Sequence, residues 1–261
     1  MSEVSLKSMI DTVRAASELF QNRADASNVT AKGKADFATQ VDYKVQQHIS
    51  RELAALYPDV EFLGEEGRHE DIVFAERQVW ILDPVDGTTN LIHDMHASVI
   101  SLALAEDGEV TKAVVFDPYR NELFSAEKGI GAFVNGRPLH VSGAGSLEEC
   151  LTAVGTSPYH RELADPTFRA ARAFYDCCQD IRRSGTAALD LAYIAAGRQD
   201  VYYEYILQPW DFAAGLLLVS EAGGMVTDFS GVKADCRHPS QILATNGKVH
   251  GEALRLMQDS L

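Results

Sequence analysis

The segment Trp80-Ile81-Leu82-Asp83-Pro84-Val85-Asp86-Gly87-Thr88-Thr89-Asn90 carries the residues best suited to chemistry. An apolar run delivers Asp83 at its end. Pro84 stiffens the turn, Asp86 follows, and Gly87 lets the backbone come close to a ligand. Two carboxylates spaced this way across a turn can point at one spot. Left bare they repel, and one of them takes up a proton. A hard divalent cation removes the conflict, and oxygen-only donors favour Mg²⁺, Mn²⁺ or Ca²⁺ over Zn²⁺. Gly87-Thr88-Thr89 can also open a helix whose free N–H groups hold a phosphate. Taken alone, Asp83 and Asp86 are equally ordinary turn and cap residues.

Other acids occupy comparable places. Gly64-Glu65-Glu66-Gly67 ends a preceding apolar run, although a solvated turn explains it as well. Trp210-Asp211 opens the apolar stretch Ala213 to Val219, where a helix cap is the plain alternative. Asp42 lies near the start of a helical pattern and on its own reads as a surface acid. Eight histidines form no HxH or HExxH arrangement. His93 and His96 flank the central motif and read as core or supporting residues.

The elements that must position these acids follow from periodicity. Leu6, Met9, Ile10, Val13 and Phe20 predict an amphipathic helix over 4–20. Val41, Val45, Ile49, Leu53 and Leu56 predict a second that ends before Pro58. The polar stretch 28–37 between them reads as a loop or flap. Short apolar runs at 60–63 and 79–82 read as strands ending in acidic turns. Residues 99–105, 110–116 and 122–126 read as consecutive antiparallel strands. Asn135-Gly136 is a strong hairpin signal, because a type I′ turn needs two positive φ angles.

The small residues Ser142 to Ser146 mark a boundary between lobes 1–145 and 146–261. Beyond it, strands are expected at 151–154, 201–205, 225–228 and 242–245, with helices at 166–178, 186–196, 211–222 and 249–257. The expected class is α/β (α+β), a layered sandwich of helices and sheets.

The 261 residues carry 38 acidic and 23 basic side chains, a net charge of −15. That charge disfavours nucleic acid and anionic lipid as partners. It permits an anionic substrate if metal ions supply positive charge. No apolar run approaches the ~20 residues of a spanning helix. Met1 to Phe20 mixes acids and bases and lacks a signal-peptide core. The four cysteines form no CxxC pair and read as reduced thiols. A soluble cytoplasmic protein is the expectation.

Taken together, Lys32-Gly33, Asp36-Phe37-Ala38-Thr39, Asp42, Gly64-Glu65-Glu66, Asp83 to Asn90, Pro209-Trp210-Asp211 and Glu221-Ala222-Gly223-Gly224 resemble the inositol monophosphatase family in order and spacing, from about residue 4 to 257. Arg182 to Tyr193 looks most like its bacterial SuhB-like branch. The resemblance implies an αβαβα sandwich and a Mg²⁺-dependent phosphomonoesterase, most simply an inositol-1-monophosphatase. It implies two or three ions held by Glu65, Asp83, Asp86, Asp211 and the Val85 carbonyl, with Asp83 bridging two of them. Thr88, oriented with Asp42, would help deprotonate the attacking water beside Glu65, and Glu66 would support the ligands from behind. The N–H groups of Gly87 and Thr88 would hold the phosphate, with Asp86, Thr89 and Asp211 nearby. Gly185, Thr186, Ala187 and Glu204 would line the pocket for the alcohol, and Arg182 is a further pocket candidate. Inhibition by Li⁺ and a homodimer are further implications.

The pattern also departs from the family. Leu91-Ile92-His93-Asp94-Met95-His96-Ala97 replaces the usual Phe-x-His and Pro-Phe continuation, and the segment 156–167 is idiosyncratic. These departures touch the substrate rather than the reaction. Fructose 1,6-bisphosphate, histidinol phosphate and a 3′-phosphonucleotide remain alternative substrates. Thr88-Thr89-Asn90 speaks against the last, whose branch usually carries Lys-Glu after Gly-Thr. A protein acting mainly by binding transcription machinery is the alternative from another class.

Overall fold

The computed structural model describes residues 4–67, 74 and 77–260. The N-terminal part runs α1 (Leu6–Ser17), α2 (Arg23–Ala26), β1 (Val29–Gly33), β2 (Asp36–Thr39), α3 (Gln40–Leu56), β3 (Glu61–Gly64), β4 (Gln78–Asp86) and α4 (Thr88–Ile92). A meander follows: β5 (Val99–Glu106), β6 (Glu109–Asp117), β7 (Glu122–Glu127), β8 (Gly131–Val134) and β9 (Arg137–Pro138). The remainder is β10 (Leu151–Val154), α5 (Ala164–Tyr175), β11 (Asp180–Arg182), α6 (Ala187–Ala195), β12 (Val201–Leu207), α7 (Pro209–Glu221), β13 (Met225–Thr227), β14 (Ser240–Thr245) and α8 (His250–Asp259).

Among these residues β3 to β9 form one sheet in sequence order, and a second has the order β11-β10-β12-β14-β13. Side-chain alternation shows what covers each face. In β4, Trp80 and Leu82 pack with Met9, Val13, Val45 and Ile49 of α1 and α3. Val79 and Ile81 point the other way, into a core shared with Leu191 of α6 and Phe212 and Leu218 of α7. In β12, Tyr202 joins that same middle core, whereas Val201 and Tyr203 pack with Phe174 of α5 and Met257 of α8. The layers are therefore α1/α3, sheet, α6/α7, sheet, α5/α8. This is the αβαβα sandwich.

The parity also aims the acids. Asp83 shares the face of Val79 and Ile81, toward the middle layer. Asp86 is three residues on and in a regular strand would face the opposite side. The register corrects this: Asp83 pairs with Ser101 and Asp86 with Val99, so β4 holds one extra residue at Pro84-Val85. The bulge puts both carboxylates on the face that meets α6 and α7.

The sequence expectation fails for 28–37. β1 and β2 form a two-stranded antiparallel hairpin, with all of β1 exposed. A pattern with no buried face gives no hydrophobic alternation to read. The short strand β11 was also not expected. It pairs in parallel with β10, and its three residues are too few to show a period. The first helix ends at Ser17 and continues as a 3₁₀ turn through Gln21. Asn135 and Gly136 have φ of 49° and 76°, the two positive angles of the expected hairpin turn.

Candidate active site

Each acid stands at the end of an element. β3 runs parallel to β4 with Gly64 opposite Leu82, and the Glu65 N–H donates to the Leu82 carbonyl (3.0 Å). This continued pairing sets Glu65 beside Asp83. Gln46 fixes the turn behind them: its Oε1 accepts from the Glu66 N–H at 3.0 Å, and its amide donates back to the Glu66 carbonyl. A side chain at Gly64 would collide with the Gln46 carboxamide and displace it from these two bonds. Asp211 is the third residue of α7 and closes a capping box with Gln208, whose N–H donates to Asp211 Oδ2 (2.7 Å). Asp86 Oδ2 accepts from the Ala188 N–H in the first turn of α6 (2.6 Å). Asp83 Oδ1 accepts from the Val85 N–H (2.9 Å).

These carboxylates are buried against one another, and their protonation shows it. Burial first, then the neighbouring acids Glu65, Asp86 and Asp211, holds Asp83 well above the usual carboxylate range. Asp211 is raised in the same way. Asp86 is pushed up to about 8 and Glu65 to about 7, again chiefly by burial. Lys32 reaches over from β1, its Nζ donating to Glu65 Oε1 (2.9 Å) and Glu66 Oε1 (2.8 Å). Burial works against its charge, but the two glutamates leave the ammonium raised above the ordinary lysine value.

The donor set suits a hard divalent cation: four mutually repelling carboxylates, crowded enough to be driven toward their protonated forms. Among the described residues, no three acidic, histidine or cysteine side chains are placed to hold one ion together as they stand. Asp83, Asp86 and Asp211 each spend an oxygen on a backbone N–H, and Glu65 spends one on Lys32. The Val85 carbonyl lies 3.1 Å from Thr88 Oγ1.

Thr88 opens α4 after Gly87, whose φ of 91° is left-handed. The first N–H groups of a helix have no acceptor within it. Thr88 Oγ1 also donates to Asp42 Oδ1 at 2.9 Å. Asp42 is fully buried and caps α3: its Oδ2 accepts from the Thr39 N–H (2.8 Å) and Thr39 Oγ1 (2.6 Å). Burial outweighs these hydrogen bonds, and the Asp42 carboxyl lies above its ordinary range.

The residues expected to line an alcohol pocket lie across from α4. Gly185 (φ 89°), Thr186 and Ala187 lead into α6. Asn90, which the sequence reading did not single out, ties this turn to α4. Its Nδ2 donates to the carbonyls of Ala97 (2.7 Å) and Ser184 (2.9 Å) and to Thr186 Oγ1 (3.2 Å). Its place in the run Thr88-Thr89-Asn90 was the only signal that could have found it. Glu204 is buried on the middle-layer face of β12, accepting from the Ser157 N–H and from Tyr202 Oη, both at 2.6 Å. Thr89 is exposed at the rim.

Arg182 does not join this group. Its guanidinium bonds Asp180 and the Ile181 carbonyl at the surface, because β11 turns it away from α6. The neighbouring Arg183 faces the pocket instead, with Nη2 donating to Thr156 Oγ1 (3.0 Å). A separate cavity of about 680 Å³, lined by Val110, Leu217, Val226 and Lys233 among others, shares no residue with the acid cluster.

Comparison with known proteins agrees with this geometry. The sequence profile of the inositol monophosphatase family matches residues 2–261. The chain is 40% identical over 257 residues to "Nus factor SuhB" of Xylella fastidiosa, covering 95% of this chain and 92% of that protein. It is 40% identical over 233 residues to "Fructose-1,6-bisphosphatase/inositol-1-monophosphatase" of Thermotoga maritima, covering 89% and 87%. The crystal structure of the extragenic suppressor protein suhB from Bartonella henselae superposes with a TM-score of 0.91 at 36% identity, covering 98% of this chain and 99% of that one. Sequence and fold agree over nearly the full length, and the chain belongs to the inositol monophosphatase family of phosphomonoesterases.

Proposed function

We propose that this protein hydrolyses inositol 1-phosphate, or a closely similar small polyol phosphate, with Mg²⁺ and by direct attack of water. The observation that carries the reading is the convergence of Glu65, Asp83, Asp86 and Asp211 beside the Thr88–Asp42 pair. The four carboxylates and the Val85 carbonyl would hold two or three ions; Mn²⁺ or Ca²⁺ suits the same oxygens. Bound there, Mg²⁺ supplies positive charge for the phosphoryl oxygens and acidifies water. The protein's own groups do the rest. Thr88 Oγ1 takes the proton of the attacking water as it passes its own to Asp42, whose raised affinity for protons suits the task. The N–H groups of Gly87 and Thr88 bind the phosphate oxygens. The phosphorus–ester bond breaks opposite the entering oxygen, the leaving oxygen takes a proton from solvent water, and the alcohol departs toward Glu204. No phosphoenzyme forms.

Phosphate release with Mg²⁺ and with EDTA tests this. The panel is both inositol 1-phosphate enantiomers, glycerol 2-phosphate, fructose 1,6-bisphosphate, histidinol phosphate and a 3′-phosphonucleotide. Metal-dependent preference for inositol 1-phosphate supports the reading, and preference for fructose 1,6-bisphosphate moves the substrate while keeping the mechanism. Inhibition by Li⁺, a homodimer and a cytoplasmic location complete the proposal. A second reading, binding to transcription machinery, is compatible with the 40% identity to a protein named Nus factor SuhB, which does not favour it over hydrolysis. Capture of the same partners by wild type and by Asp83→Asn supports it.

A further inference from the structure

The segment after β10 departs from the family pattern, and the structure gives it a defined position. The Gly155 N–H still donates to the Tyr203 carbonyl (2.9 Å), and a side chain at Gly155 would collide with the Glu204 carboxyl. Ser157 is locked onto Glu204 by its N–H and supports Ile206, whose N–H donates to Ser157 Oγ at 3.3 Å. Ser157 has a φ of 39°, a left-handed conformation rare for a non-glycine residue. Thr156 accepts from Arg183 on the opposite wall. The His160 N–H then closes a turn onto the Ser157 carbonyl (2.8 Å). Pro158 and Tyr159 form the tip of that turn.

Tyr159 is 56% exposed, so its ring is free to meet a ligand. It lies two residues beyond Ser157, whose N–H bonds Glu204, on the turn whose Thr156 accepts from Arg183. The tip of the turn therefore stands beside the alcohol pocket, and burial, then the charges of Glu65, Asp211, Asp36 and Asp83, holds the Tyr159 hydroxyl above the ordinary phenol range. Glu204, which accepts from the Ser157 N–H two residues before Tyr159, marks the floor of the alcohol pocket. Burial of the hydroxyl and the nearby carboxylates keep its proton on, so it serves as a donor.

We infer that Tyr159 is a specificity-determining residue: its ring covers the face of a cyclic polyol or sugar phosphate whose hydroxyls reach Glu204, and its hydroxyl donates to that substrate. The inference rests on the phosphatase reading above. A ring gains from a flat apolar wall that an open three-carbon chain only partly covers. The anchored turn holds that wall in place before substrate arrives, so little ordering is needed on binding.

Steady-state kinetics of wild type, Tyr159→Ala and Tyr159→Phe on inositol 1-phosphate and glycerol 2-phosphate test it. In Tyr159→Ala, KM for inositol 1-phosphate should rise about tenfold, the equivalent of ~1.4 kcal/mol. KM for glycerol 2-phosphate should stay within about twofold, as should both kcat values. Tyr159→Phe should fall between, retaining the wall without the donor. Equal KM changes on both esters, or none on either, overturn the inference and leave the phosphatase reading standing. A wild type that hydrolyses neither ester overturns both.

Discussion

Thr88 and Asp42 lie 46 positions apart and meet at 2.9 Å, hydroxyl to carboxylate. Asp42 reaches that point because it is the capping acid of α3, and Thr88 because it opens α4 after a left-handed glycine. Two helix starts, each satisfying its own backbone, thus bring a hydroxyl and a carboxylate together, the pair to which the proposed mechanism gives the proton transfer. Thr88→Ala and Asp42→Asn should each lower kcat by roughly 10² to 10⁴ while KM moves little. Thr88→Ser, which keeps the hydroxyl, should recover most of the rate. Asp42→Asn can still accept from Thr39, so its stability loss should stay near ~1 kcal/mol. Stopped-time phosphate assays and thermal melts separate these effects.

Asp83→Asn and Asp211→Asn should cut turnover by orders of magnitude, because each removes a carboxylate that the proposed mechanism assigns to the metal. The same changes remove a buried charge that its neighbours repel. In EDTA both variants should therefore melt no lower than wild type at pH 7, and higher at pH 8.5. A marked loss of stability in EDTA would show that these acids hold the fold rather than a cation.

Much of this arrangement was legible in the sequence, for reasons specific residues illustrate. Trp80 and Leu82 alternating with Val79 and Ile81 announce a strand buried on both faces, and Asp83 at its end is conspicuous. Asp211 stands at the head of an apolar helix, where a cap is expected. The bulge at Pro84-Val85 was not legible: only the pairing of Asp83 with Ser101 and Asp86 with Val99 shows that two acids three apart share a face. The Lys32 hairpin stayed hidden because β1 carries no buried apolar face. Arg182 and Arg183 could not be told apart, since the strand that turns one outward is three residues long. Asn90 carries no charge, and its three bonds cross to residues 97, 184 and 186.

The raised acids also fix a pH dependence. Asp86 titrates near 8 and Glu65 near 7 in the folded protein, whereas unfolded carboxylates titrate near ~4. The folded state thus binds more protons between those values, so metal-free stability is greatest below the unfolded range and is lost as pH rises through 7 to 8. Asp190, buried near Ser184 and raised to about 7, adds in the same direction. In EDTA the melting temperature should fall from pH 6 to pH 8.5. Saturating Mg²⁺ should flatten that slope, because cation binding to the deprotonated acids stabilises the fold most at high pH. A slope that is flat in EDTA, measured by calorimetry, would contradict the buried-acid description.

Glu204 separates substrate recognition from structure. Its two oxygens already accept from the Ser157 N–H and Tyr202 Oη, so Glu204→Ala would strand two buried donors and open a cavity beside Gly155. That variant should lose stability by several kcal/mol, on the order expected for unsatisfied groups plus lost packing, and its kinetics would be hard to read. Glu204→Gln is the sharper test. Its carbonyl oxygen can keep the Ser157 N–H, and Tyr202 Oη can turn to accept from the new amide. The fold is then retained while the pocket loses its negative acceptor. KM for inositol 1-phosphate should rise about tenfold, kcat should change less than threefold, and glycerol 2-phosphate should be hydrolysed nearly as before. Unchanged discrimination in a Glu204→Gln protein that melts like wild type would remove Glu204 from the substrate pocket and leave it as the anchor of the 155–160 turn alone.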